Sequence, residues 1–102
     1  MLSDRTKPKP DPDPDPDRWV KISMGLPVCR WTSLDRKHRV YLIVRHDGGF
    51  MPYSEFFSDE EFEHCWIPER AGGSFYDSEE IAVREIHADF PWSRDVTREN
   101  YA

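Results

Sequence analysis

The chain carries, at residues 39–46, the segment Arg-Val-Tyr-Leu-Ile-Val-Arg-His, followed by Asp-Gly-Gly at 47–49 and Phe-Met-Pro-Tyr-Ser-Glu-Phe-Phe at 50–57. The first segment is rich in β-branched and aromatic residues, which predicts a strand. Its even-numbered aliphatic residues would lie on one face, and Tyr41, Ile43 and Arg45 on the other. Glycine accepts a positive φ without steric cost, so residues 47–49 predict a hairpin turn into a second strand. Because Pro52 cannot donate to a ladder, that strand is expected to lie at a sheet edge or to break there.

Weaker strand patterns lie on both sides of this hairpin. Residues 19–24 alternate weakly and predict a strand that ends at Gly25, with residues 28–32 as its continuation or as a second short strand. Residues 65–67 predict a further strand, which Pro68 would close.

Two capping-box patterns predict helix starts. Asp-Ser-Glu-Glu at 77–80 opens a helix over residues 79–90, and Pro91 ends it. The apolar residues of this helix share one stripe, as an amphipathic helix requires. Ser-Asp-Glu-Glu at 58–61 has the same spacing and leaves open either a helical turn to about His64 or a loop. The predicted fold class is therefore α+β, a small twisted antiparallel sheet of three to four strands with one C-terminal helix packed on one face.

Composition divides the chain into three parts. Residues 1–18 alternate proline with charged residues and predict a disordered Pro/Asp-rich arm of polyproline-II character. That arm is either a solubilising tail or a segment that docks on a partner. Residues 19–92 are predicted to form a single α+β domain, and residues 93–102 a frayed C-terminal tail.

Several classes of protein and site are excluded by composition. No apolar run approaches the roughly 20 residues that cross a bilayer, so no membrane association is expected. The only two cysteines, Cys29 and Cys65, fit a reducing, cytoplasmic compartment. His64 and Cys65 are neighbours and would point to opposite faces of a strand, so no metal site is expected. No phosphate-binding loop is present, and no cofactor is expected.

No catalytic residues are predicted. The residue types would allow a cysteine nucleophile activated by His38, His46 or His87, but no motif orients such a pair. Cys65 also follows several glutamates, which would raise its pKa rather than lower it. The chain is therefore predicted not to be an enzyme.

Charge placement is the most informative functional signal. The chain has 14 basic and 20 acidic residues, and the two kinds occupy different segments. Basic residues dominate 30–45, whereas 55–69 hold six acidic residues and no lysine or arginine. The hypothesis that follows is a nucleic-acid mimic, whose acidic surface occupies the basic surface of a larger protein. The residues predicted to bind that partner are Glu55, Phe57, Asp59, Glu60, Glu61, Phe62 and Glu63.

A small, acidic, aromatic-rich domain with a low-complexity tail and no active-site motif resembles the accessory proteins of phages and other mobile elements, among them anti-CRISPR proteins. The resemblance is one of size and composition and covers no motif. It implies a protein–protein interaction that inhibits a larger nucleic-acid-handling protein, for example a CRISPR effector.

The alternative is a small nucleic-acid-binding domain that uses Arg36, Lys37 and Arg39. Residues 73–82 loosely resemble the last strand and helix start of AP2-type and integrase arm-type DNA-binding domains. A net charge of −6 argues against direct nucleic-acid binding. A further alternative is a homodimer or larger scaffold formed by pairing of the edge strand that carries Pro52.

Overall fold

Five strands and one α-helix make up the part of the chain that the structure, a computed structural model, describes: residues 19–20, 22–23, 25–60, 64–70 and 75–101. The strands are β1 (Gly25–Thr32), β2 (His38–Arg45), β3 (Phe50–Ser58), β4 (Cys65–Arg70) and β5 (Glu99–Asn100). The helix is α1 (Glu79–Asp89), and a 3-10 helix follows it at Pro91–Asp95. The strands form one antiparallel sheet in the order β4-β3-β2-β1-β5, so the α+β class is confirmed, with five strands in place of three or four.

The predicted hairpin is confirmed as β2 and β3. Tyr41 lies opposite Tyr53, and Leu42 opposite Pro52. Gly48 has a φ of 92° in the connecting turn, a conformation that L side chains rarely adopt. Pro52 lies in the part of β3 that has no β4 partner, because β4 pairs with β3 only from Ser54 onward. Within the described sheet β3 is an interior strand over its second half, so the strands at the two edges are β4 and β5.

The first strand begins where the sequence predicted one to end. β1 starts at Gly25, and a Cβ atom at this position would overlap the carbonyl oxygen of Val44 on β2. Glycine therefore permits the close approach of the two strands. Pro27 lies within β1 beside a shift in register before Cys29, which is a position where a sheet tolerates a missing N–H.

The region after β3 also differs from expectation. Ser58 is the last residue of β3, and Asp59 and Glu60 are not helical. The helical turn or loop left open up to His64 includes residues 61–63, which lie outside the described part of the chain. β4 continues through Pro68 to Arg70. An edge strand accepts proline because half of its N–H groups have no ladder partner.

The helix packs on one face of the sheet, as predicted. Ala82 and Ile86 are buried against residues of β1 and β2, with half-buried aromatic side chains around them. The buried sheet residues of this cluster are Cys29, Trp31, Val40 and Leu42. The opposite face of the sheet has its own cluster, formed by Val20, Tyr41, Ile43, Met51 and Tyr53. The alternation of residues 40–43 thus supplies both faces of the sheet.

Ser78 caps α1, because its hydroxyl accepts a hydrogen bond from the backbone N–H of Ile81 at 3.2 Å. We expect Ser78→Ala to lower the free energy of unfolding by about 1 kcal/mol, since one N–H at the helix start loses its acceptor. Urea denaturation measures this, with Ser23→Ala, at an exposed turn, as the control. Equal stability of the two variants would contradict the cap.

The C-terminal segment is ordered where a frayed tail was predicted. Ser93 is buried in the 3-10 helix, and β5 pairs with β1 through Cys29 and Arg30. The N–H of Tyr101 donates to the carbonyl of Val28 at 2.9 Å. The folded domain therefore extends beyond Trp92 to Tyr101, while the predicted arm at residues 1–18 lies outside the described residues.

Candidate interaction surfaces

The acidic segment after residue 54 does not form one exposed surface. Glu55 and Phe57 are only 2% and 4% exposed, because the two-residue period of β3 turns both of them inward. The prediction that these two side chains contact a partner is therefore wrong. Asp59 and Glu60 are exposed, and Glu61, Phe62 and Glu63 lie outside the described residues.

The basic residues predicted to bind nucleic acid likewise differ in their exposure. Arg39 is 0% exposed, and its guanidinium lies 4.1 Å from the ring centroid of Trp66. The prediction that Arg39 contacts a nucleic acid is therefore wrong. Arg36 is exposed, and the Lys37 ammonium lies 3.5 Å from a carboxylate oxygen of Asp59.

Antiparallel pairing explains why the two charged segments meet. Arg39 on β2 lies directly opposite Glu55 on β3. At the same end of the hairpin, Nδ1 of His38 lies 3.8 Å from a carboxylate oxygen of Glu69. Charges that lie in separate segments of the chain are thus brought together by the sheet.

A buried polar cluster occupies the sheet face opposite α1. The Tyr41 hydroxyl donates to the Glu55 carboxylate at 3.3 Å, and an N–H of Arg39 lies 3.5 Å from the same hydroxyl. Arg30, also buried, donates from Nε to Glu99 at 2.9 Å. Burial lowers the pKa of Arg30, but the hydrogen bonds and charges of Glu99 and, to a smaller extent, of Tyr41 together outweigh this effect and raise it. Burial, followed by the charge of Glu55, raises the pKa of Tyr41 and keeps its hydroxyl protonated as a donor.

Two tryptophans accompany these arginines. The Arg30 guanidinium lies 4.4 Å from the ring centroid of Trp19, as Arg39 does from Trp66 at 4.1 Å. Cation–π contacts of this kind are stronger when water is excluded. The hydrogen bonds of Tyr41 with Arg39 and Glu55, and of Arg30 with Glu99, hold this cluster together and serve the fold. Sequence reasoning missed this cluster, although a signal existed: Arg30 lies between Cys29 and Trp31, inside an otherwise apolar strand.

Two of the nucleophiles in the described residues, Cys29 and Ser93, are not activated. Burial raises the pKa of the Cys29 thiol to about 11, so the thiolate is scarce at neutral pH. The hydroxyl of Ser93 lies 2.6 Å from Nδ1 of His87, yet it donates its own hydrogen to the carbonyl of Phe90 at 2.7 Å. Burial, with a smaller contribution from Arg94, lowers the pKa of His87. This pair closes the end of α1 and presents no free hydroxyl to a substrate.

The described residues contain neither a cluster of metal ligands nor a membrane-spanning helix. No group of three or more histidine, cysteine, aspartate or glutamate side chains there could hold a metal ion. None of the helices in the described ranges is long and apolar enough to cross a membrane.

Three carboxylates of α1 remain without a described ion pair: Glu85 and Asp89 share one side of the helix, whereas Glu80 lies on another side with the exposed Arg84. Glu79 is bound by Arg98 at 2.8 Å. Among the described residues, Glu80, Glu85 and Asp89 have no lysine, arginine or histidine at ion-pair distance. These residues were not among those predicted to bind a partner, although their positions on an amphipathic helix were a usable signal.

No protein-family model, curated protein or solved structure was found to match the chain. The resemblance to phage accessory proteins therefore stays a prediction. In the segment that resembles DNA-binding domains, Tyr76 makes an isolated bridge to Phe50 and belongs to no strand.

Proposed function

We propose that the protein is a non-enzymatic binding protein whose acidic helix face occupies a basic surface on a larger protein. One observation carries this proposal. Glu80, Glu85 and Asp89 have no described cation at ion-pair distance, whereas Arg30, Arg45, Lys37 and Arg98 each lie beside a carboxylate. The partner-facing charge is thus assigned to α1, which carries three such carboxylates, and not to the segment after residue 54, where Glu60 shares this property but Asp59 and Glu69 lie beside Lys37 and His38.

The geometry of α1 suits such a contact. Glu85 and Asp89 follow Ile81 at intervals of four residues, so all three lie along one side of the helix. Ile81 is exposed enough to act as an apolar anchor between carboxylates. Acidic groups around an apolar anchor speed the encounter with a basic partner and set its orientation.

The negative charge of α1 also indicates the class of partner. Proteins that handle nucleic acids carry basic surfaces that bind phosphates. A protein that covers such a surface with carboxylates excludes the nucleic acid and inhibits the larger protein, and a CRISPR effector is one example. We assign the protein to this inhibitory class of binder, without a substrate or a cofactor.

The decisive experiment compares two triple variants of equal net charge. We expect Glu80→Lys with Glu85→Lys and Asp89→Lys to weaken partner binding by about tenfold or more and to flatten its salt dependence. The control reverses Asp59, Glu60 and Glu69, two of which lie beside the protein's own Lys37 and His38. The partner is captured from the source cell extract at two salt concentrations, purified and titrated by calorimetry.

Either of two results would overturn the proposal. One is that the α1 variant binds the captured partner as tightly as the original chain does. The other is that the original chain binds labelled duplex DNA at low salt, with an affinity that falls when Arg36 and Lys37 are replaced by alanine. The second result would support the nucleic-acid-binding alternative.

A further inference from the structure

A groove lies between the loop that joins β1 to β2 and the segment that follows α1. Its apolar lining is formed by Leu34, Trp92 and Val96, and two carboxylates, Asp35 and Asp95, stand beside them. The first part of the groove has a volume of about 360 Å³. A second part adjoins it and shares Leu34, Asp95 and Val96, so the groove is elongated.

The loop on one side of the groove is held rigidly. The Ser33 hydroxyl bonds to Asp35 and accepts from the N–H of His38 at 3.1 Å. Asp35 also accepts from the N–H of Lys37 at 3.0 Å. The N–H of Arg36, a residue with a φ of 61°, donates to the carbonyl of Ser33 at 2.9 Å. This bonding fixes the position of Leu34 before any partner arrives, which reduces the entropy lost on binding.

Leu34 is the most exposed large apolar side chain among the described residues, at 85%. A single exposed leucine is ordinary on a protein surface. Here it adjoins two further apolar side chains, Trp92 and Val96, in one concave site. An apolar side chain of a partner that entered this site would remove the leucine from water.

The charge of the groove favours a cationic occupant. Hydrogen bonds from the Ser33 hydroxyl and the Lys37 N–H lower the pKa of Asp35, so its carboxylate stays ionised at neutral pH. Asp95 is exposed, and no ion pair involves it among the described residues. Arg36 is the cationic side chain that lines the second part of the groove. Glu99 also lines that part, and its carboxylate is bound to Arg30. His38 lines the groove as well, and its Nδ1 lies 3.8 Å from a carboxylate oxygen of Glu69.

We propose that this groove binds an extended segment of a partner protein in which an aliphatic or aromatic side chain stands next to a lysine or arginine. The apolar side chain would enter between Leu34 and Trp92, and the cation would lie between the carboxylates of Asp35 and Asp95. The elongated shape suits a peptide better than a compact small molecule. The site uses none of the α1 carboxylates and goes beyond the proposed function, so each proposal can fail without the other.

The test uses the full chain, labelled with ¹⁵N, and the peptide acetyl-Lys-Leu-Arg-Leu-Lys-amide as the probe. We expect saturable shifts confined to the amides of residues 33–38 and 92–97. Leu34→Ser should weaken binding about tenfold through lost apolar contact. Asp95→Asn should weaken it about fivefold through lost charge. Asp77→Asn removes an equivalent exposed charge outside the groove and should leave the affinity unchanged.

The alternatives give different results. A peptide with glutamine in place of lysine and arginine should bind at least several-fold more weakly, and equal binding would overturn the assignment of a cation. Shifts in these amides with hexylamine but not with the peptide would identify a small-molecule site instead. Absence of shifts at residues 33–38 and 92–97 would overturn the groove itself. The α1 triple variant should bind the peptide as the original chain does, which separates this proposal from the proposed function.

Discussion

Glu55→Ala is expected to lower the free energy of unfolding by about 3–5 kcal/mol, because it removes one partner from a buried set of charges. Glu55 lies opposite Arg39 in the sheet and accepts a hydrogen bond from Tyr41 at 3.3 Å. Without the carboxylate, the buried guanidinium of Arg39 keeps its positive charge but loses the acidic residue that lies opposite it in the sheet. A domain of this size has about 5–15 kcal/mol of total stability, so the loss is a large share of it.

Urea denaturation at neutral pH measures this effect, with Asp59→Ala as the matched control. Asp59 is exposed beside Lys37, and loss of an exposed ion pair costs at most about 1 kcal/mol. If Glu55→Ala does not fold, Glu55→Gln keeps the shape and an acceptor for Tyr41 and should show an intermediate loss. Equal stability of the Glu55 and Asp59 alanine variants would show that the buried charges do not depend on each other.

Leu42→Ala is expected to lower the free energy of unfolding by about 2–5 kcal/mol. Leu42 is fully buried in the centre of β2 and belongs to the cluster that holds Ala82 and Ile86 of α1 against the sheet. Truncation leaves a cavity under the helix, and the surrounding strands can close it only in part. The cost therefore includes lost contacts as well as lost burial.

The same substitution at Leu34 provides the control, because that leucine is exposed on the loop after β1. Leu34→Ala should change the stability by no more than about 0.5 kcal/mol. Calorimetric melting of the two variants compares identical changes in chemistry that differ only in burial. A small effect at Leu42 would contradict the packing of α1 on this face of the sheet.

Local patterns in the chain were sufficient for the hairpin and for the helix. Alternation over residues 39–46 depends on the period of a strand, and the capping-box pattern at residues 77–80 depends on the spacing of the first helical turn. The observed cap lies within that pattern at Ser78, which accepts from the N–H of Ile81. Both signals reside within a few neighbouring residues. The first strand was predicted to end at Gly25, because glycine commonly ends a strand. In the structure β1 begins at this glycine, which permits close contact with β2.

The candidate surface depended on distant parts of the chain and was therefore only partly predictable. Asp59 and Glu60 are exposed as expected, but Glu55 and Phe57 face inward. The amphipathic pattern of α1 was predicted, but which of its carboxylates lack a described ion-pair partner follows only from the folded structure. The groove beside Leu34 brings together residues from both ends of the domain.

The sequence by itself determined the class of fold, the hairpin of β2 and β3, and the capped helix, because these follow from periodicity and local hydrogen bonding. Tertiary structure alone decided which charges stay available to a partner. Antiparallel register placed Arg39 against Glu55, and the same sheet carried β5 back to β1, where Glu99 meets Arg30. The physical reason is that a charge's surroundings are set by strands far away in the chain, and those neighbours exist only after the sheet has formed.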